Sequence, residues 1–101
     1  MFDADRYITR GIADTIPPEL QFFMWNKIQD IPTQTRDYLQ VFQLSIYQQG
    51  EIITQEISHS QEQPEYHARY LLEQGDNSPV DAKVFVIDDS QYATMLLAEE
   101  Y

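Results

Sequence analysis

The sequence predicts an α+β fold: one N-terminal helix packed on a mostly antiparallel, strongly curled sheet of about five to six strands, curled far enough to approach a small open barrel. Three observations lead there. A proline-started run at helical spacing lies near the start, from Pro17 to Ile31. Most of the remaining chain alternates apolar and polar residues and is rich in β-branched and aromatic types, the pattern of half-buried strands. The runs are separated by short turn-forming clusters, among them Gln48-Gln49-Gly50, Gly75-Asp76-Asn77-Ser78-Pro79 and Asp88-Asp89-Ser90-Gln91.

Residues 6–12 alternate Tyr7, Thr9 and Gly11 against Ile8, Arg10 and Ile12, which reads as a short strand. Pro17-Pro18 suits a helix start, because proline in the first turn gives up only an N–H that has no intrahelical partner. Thr15 is the expected cap, and Glu19 sits in the favourable first turn. At about 100° per residue, Leu20, Phe23, Met24, Ile28 and Ile31 form one stripe, with Phe22 and Trp25 beyond its edge. The helix is expected to run to about Asp30, and Pro32 closes it.

A polar connection at residues 33–37 precedes a strand from Tyr38 to Tyr47, and a second strand spans residues 51–60. Gly50 supplies the positive φ of the turn between them, so the two are expected to pair antiparallel. Pro64 cannot donate to a ladder and bends the chain. Residues 66–73 read as strand, although Glu65, Arg69 and Glu73 would also line one helical face. Ala82 to Ile87 is apolar on both faces, the mark of a central strand, and Tyr92 to Ala98 returns as its partner. The last five strands read as a meander.

With 101 residues the chain makes a single domain, 1–101, large enough to bury roughly 60–70% of its unfolded surface. Its 43% hydrophobic and 13% aromatic content takes it out of the class that stays disordered. Cysteine is absent, which removes disulfides, thiolate zinc sites and cysteine nucleophiles together. Seventeen acidic residues against six basic give a formal net charge of −11. Such a field opposes direct nucleic-acid binding, because phosphates require Lys or Arg for neutralisation. No basic-then-apolar leader opens the sequence, and no apolar run approaches the ~18 residues of a bilayer span, so the expectation is a soluble cytoplasmic protein without membrane association.

Several segments together carry a family resemblance: Arg6-Tyr7-Ile8-Thr9-Arg10-Gly11-Ile12, Pro18-Glu19-Leu20-Gln21, Trp25 at the helix centre, Asp37-Tyr38-Leu39-Gln40-Val41-Phe42, Ala82-Lys83-Val84-Phe85-Val86-Ile87-Asp88-Asp89, and the stretch from Thr94 to Tyr101. Over nearly its whole length the chain resembles domain-of-unknown-function family 960, small uncharacterised proteins of low-GC Gram-positive bacteria. That resemblance implies no activity, cofactor or catalytic residue for any position. The Arg-Gly-Ile element, the Pro-Glu-Leu helix start and the later strands are also similar to YolD-like proteins. This second likeness implies a helix followed by a bent small barrel, and a partner-binding adaptor.

The chemistry-bearing residues form no catalytic, cofactor-binding or metal-ligating set, and no cofactor is expected. His59 and His67, with Glu56, Glu62 and Glu65 nearby, fit no zinc spacing. Ser58-His59-Ser60 places neighbours on opposite faces of a strand, and Asp88-Asp89 and Glu99-Glu100 fall at opposite ends of a hairpin. What remains is a candidate protein-interaction set: Phe22 and Trp25 outside the core stripe, and Arg6 and Arg10, which a strand would project from one face. The expected function is a non-enzymatic protein–protein interaction module or homo-oligomer, its partner another protein or a second copy. Two alternatives stand beside it: an acidic mimic of nucleic acid that occupies a DNA- or RNA-handling protein, and an enzyme whose site a single sequence does not reveal.

Overall fold

The computed structural model describes residues 5–73 and 78–101. Its elements are β1 (Asp5–Ile8), α1 (Arg10–Thr15), α2 (Pro18–Gln29), a 3-10 turn η1 (Thr33–Thr35), β2 (Leu39–Gln49), β3 (Ile52–Gln61), β4 (Tyr66–Leu72), β5 (Ala82–Asp88), β6 (Tyr92–Leu97) and a second 3-10 turn η2 (Ala98–Glu100). The six strands form one mixed sheet in the order β1-β6-β5-β2-β3-β4. Four of its pairings are antiparallel, and β1 joins β6 in parallel.

The α+β class holds, but the predicted curl does not. The sheet is neither strongly curled nor closed, because β1 and β4 remain its two edges. Nor do the last five strands make a meander: β5 pairs with β2, not with β4. The chain therefore crosses from one edge of the β2-β3-β4 ladder to the other, and the loop expected at residues 75–79 belongs to this crossing, with positions 75–77 outside the described residues. The long helix is preceded by both β1 and α1 and does not open the fold.

A second correction concerns residues 6–12. The strand stops at Ile8, and Arg10-Gly11-Ile12 is helical. Thr9 ends the strand by capping α1: its hydroxyl accepts the Ile12 N–H at 3.3 Å and its carbonyl accepts that of Ala13 at 3.0 Å. Ile12 and Ile16, four residues apart, then turn into the core. Thr15 does not cap α2; Pro17 occupies the cap position without a side-chain bond, and Pro18 starts the helix.

Strand alternation places the core on one side. Phe42 and Leu44 of β2, Ile57 of β3, Val84 and Val86 of β5, and Ala93 and Met95 of β6 meet Leu20, Met24 and Ile28 of α2 with Ile12 and Ile16. The fold is thus two layers, helices on one sheet face. Residues 66–72 are strand, and their inward Tyr70 meets Phe23 of α2 edge-on at 5.3 Å. Gly50 takes a φ of 62° in the β2–β3 turn, as its place there requires.

Candidate functional site

The four residues singled out by sequence do not form one surface. Phe22 is 67% exposed, whereas Trp25 is only 5% exposed. Trp25 belongs to the core cluster, and the parallel seat of β1 on β6 also brings the Arg6 guanidinium over its ring, 4.9 Å from the centre. Arg10 is exposed at the start of α1, so it shares no strand face with Arg6. Of the two aromatics beyond the stripe of α2, Trp25 is therefore core beneath a cation and Phe22 is surface.

The larger unpartnered surface is the sheet face opposite the helices. Register places Tyr7, Thr94, Ile87 and Leu39 side by side in one cross-strand row, and Leu96, Phe85 and Val41 in the next. Tyr92 joins Tyr7 edge-on at 5.2 Å, and Tyr101 meets Phe85 in the same manner at 5.6 Å. No Asp, Glu, Lys or Arg lies within those two rows. Further along the strands the face becomes polar, with Lys83, Gln43, Ser58 and Arg69 in one row and Ser45, Glu56 and Leu71 in another. Arg69 there pairs with Glu56 at 2.7 Å, which lowers the Glu56 carboxyl and raises the guanidinium.

On the helix side, at the end of the sheet near η1, lies a buried polar network that sequence reading missed. His59 Nε2 meets Gln40 Oε1 at 2.6 Å, and Gln40 Nε2 donates to Gln61 Oε1 at 2.8 Å and to the Asp37 carbonyl at 2.9 Å. Gln61 Nε2 in turn donates to the carbonyls of Thr35 and Pro64. The Asp37 carboxylate accepts the N–H groups of Glu62 and Gln63 in the β3–β4 turn. Four side chains thereby hold two loops together. The signal was available as inward-facing Gln and His on otherwise apolar strand faces, since buried amides require partners.

His59 is fully buried and stacked on Phe42 at 4.2 Å, and its Nδ1 has no hydrogen-bond partner. Burial, reinforced by the nearby His67, pushes its pKa down to about 4. The ring is thus neutral near pH 7. His67 lies on the opposite sheet face, paired with Ser60, so the two histidines do not converge. Among the described residues no cluster of three or more acidic or histidine side chains is arranged to hold a metal.

Beside the network is a pocket of about 190 Å³. It is lined by Ile31, Pro32, Pro64 and Tyr66, by Thr35 and the buried Gln61, and by the exposed Asp30 and Glu65 at its rim. The neighbouring Tyr70 hydroxyl is driven up to about 12 by burial, then by its hydrogen bond with Tyr66.

A third constellation uses the acidic end of the chain. Glu100 accepts the Thr9 hydroxyl at 2.6 Å, the Gly11 N–H at 3.2 Å and the Leu97 N–H at 2.8 Å. Those bonds hold its carboxyl below the usual range, the Thr9 hydroxyl contributing most. A Cβ on Gly11 would lie 2.6 Å from the Glu100 carboxyl carbon, so glycine makes the approach possible. Asp89 plays a comparable local part, accepting the N–H groups of Gln91 and Tyr92 at 3.0 Å each. These carboxylates serve turns and caps.

Fold and sites together define a small acidic α+β domain with one covered and one open sheet face, and without an assembled catalytic centre among the described residues. Residues 5–100 match the family described as staphylococcal protein of unknown function, domain-of-unknown-function family 960, and the chain belongs to that family. Its fold is similar to that in the crystal structure of a protein of unknown function from Enterococcus faecalis, with a TM-score of 0.74 and 24% identity over 98% of this chain and 92% of that one. No curated protein matches the chain.

Proposed function

We propose that this protein is a non-enzymatic interaction module that docks a protein partner on the open face of its sheet. The observation carrying this reading is the pair of uncharged rows built by Tyr7, Ile87, Leu39, Phe85 and Val41 on the face away from α1 and α2; Tyr7 is exposed and the other four are half-buried, with Tyr101 after η2 packed on Phe85. Antiparallel sheets commonly leave one face to solvent, but that face is then usually polar, and a contiguous apolar area marks an interaction site. Interface centres lack charge and are rich in aromatic residues, as this face is. The net charge of −11 around it favours a partner with a basic rim.

The reading moves the interaction site away from the set expected from sequence. Trp25 supports the core, Arg6 covers it, and Phe22 remains as a single exposed aromatic on α2. Photo-crosslinking discriminates the surfaces: a photoreactive residue at Phe85, compared with one at the exposed helix position Asn26, is incubated with staphylococcal lysate. A defined adduct from position 85 that disappears in an Ile87→Asp background is expected. Equal adducts from both positions would overturn the assignment. Light scattering across concentration separates a second copy from another partner, because only self-association raises the mass of the isolated chain.

A further inference from the structure

We propose that the pocket between the end of α2 and the β3–β4 turn is a socket for one arginine side chain of a partner protein. The proposal extends the interaction reading to a second place on the molecule. Size sets the class of guest: about 190 Å³ is well below the ~300–1,000 Å³ of sites for metabolites and drug-sized ligands. One anchoring side chain fits such a volume, and interface energy concentrates in anchors of that kind.

Hydrogen-bond accounting then sets the guest's chemistry. Gln61 and Thr35 have no side-chain donor left to offer, because Gln61 Nε2 is used by the Thr35 and Pro64 carbonyls and the Thr35 hydroxyl donates to the Pro32 carbonyl. Gln61 Oε1 is likewise occupied, by Asp37 N–H and Gln40. The groups that face outward are the exposed carboxylates of Asp30 and Glu65. Lys27 reaches Asp30 only at 3.6 Å, its ammonium drawn aside between the rings of Phe23 and Tyr70 at 5.1 and 4.8 Å. A pair of this length whose carboxylate is exposed contributes little and yields to a better donor.

The walls select among cations. Pro32, Pro64 and Tyr66 present flat apolar and aromatic surfaces, which suit a planar guanidinium and its methylene stem better than a compact, strongly hydrated ammonium. The end of α2 adds the negative pole of a twelve-residue helix. Just outside the lining, Arg36 donates through Nε and one terminal nitrogen to the Ile31 carbonyl, at 3.3 and 2.8 Å, so the guest's partners are the two rim carboxylates and not that carbonyl. The socket is also preorganised, since the Gln40, Gln61 and Asp37 bonds pin both of its loops before any guest arrives.

The test uses the whole chain and three capped tripeptides, Gly-Arg-Gly, Gly-Lys-Gly and Gly-citrulline-Gly, titrated while backbone amide signals are followed by NMR. Expected are saturable shifts confined to residues 30–35 and 61–66 with the arginine peptide, and binding about tenfold weaker or worse with citrulline, which keeps the shape without the charge. The Asp30→Asn/Glu65→Gln double variant, isosteric and at exposed positions, should weaken the arginine peptide comparably while leaving the spectrum elsewhere unchanged. Shifts spread along the acidic surface, equal binding of the lysine peptide, or an unaltered response in the double variant would each overturn the assignment. None of these results bears on crosslinking at position 85, so the two readings fail separately.

Discussion

Phe22 and Trp25 sit on the same helix and beyond the same core stripe, yet Arg6 reaches only Trp25. Trp25 is in the core and Phe22 is not, so truncation should separate the two residues: Trp25→Ala is expected to cost about 3–5 kcal/mol in urea unfolding, and Phe22→Ala to stay within about 0.5 kcal/mol. Helical spacing showed that both left the stripe; it contained nothing about β1 docking over one of them. The buried amides were hidden for a related reason. Strand periodicity alone places Gln55 and His59 on the same face as Ile57, but only tertiary pairing supplies partners such as Val80, whose N–H and carbonyl are both held by Gln55. His59 also sets a pH dependence. Its folded pKa of about 4 lies below the ~6.5 of an unfolded histidine, so between those values the unfolded chain binds the extra proton. Stability from this group is therefore complete above pH ~6.5 and lost progressively toward pH 4, by about 3 kcal/mol. His59→Phe should be less stable than the parent at pH 7, because Gln40 loses a partner. Urea unfolding across pH should show that gap narrowing between pH ~6.5 and ~4; a constant gap would mean that the histidine is charged in the fold.

At the scale of elements, α2, the β2–β3 hairpin and the β5–β6 hairpin were legible, because each has both a period and its own punctuation in Pro18, Gly50 or Asp88-Asp89. The α1 helix was not. Six residues carry too little periodicity to compete with the alternation of residues 6–12, and the decisive signal is Thr9 as a cap followed by Ile12 and Ile16 at helical spacing. Part of what fixes α1 is supplied from the far end of the chain by Glu100. Its folded carboxyl titrates below the ordinary value, so its contribution is present above that value and is lost as pH falls through the lowered one. Glu100→Gln should lower the melting temperature at pH 7 and have progressively less effect on acidification. Melting curves at pH 7 and pH 3 check this, and equal losses at both would exclude the ionic part of the interaction.

For the whole molecule, the sheet order exceeded what sequence could specify. Alternation identifies strands and their inward faces, but it is silent on which edge a strand joins, and β5 passes over β4 to pair with β2. The parallel seat of β1 was equally invisible, since a four-residue strand says nothing of its neighbour. That seat and the bonds to Glu100 have a joint effect on how the protein opens. Thr9 donates its N–H to Met95 and its hydroxyl to Glu100, so α1 cannot fray outward without releasing η2, nor η2 without exposing the first turn of α1. Positions some ninety residues apart in sequence thus form one cooperative unit of local unfolding. Amide hydrogens at Ile12 and Ala13 are therefore expected to exchange with solvent through the same opening event as that at Leu97, which hydrogen exchange followed by NMR would show as matched rates.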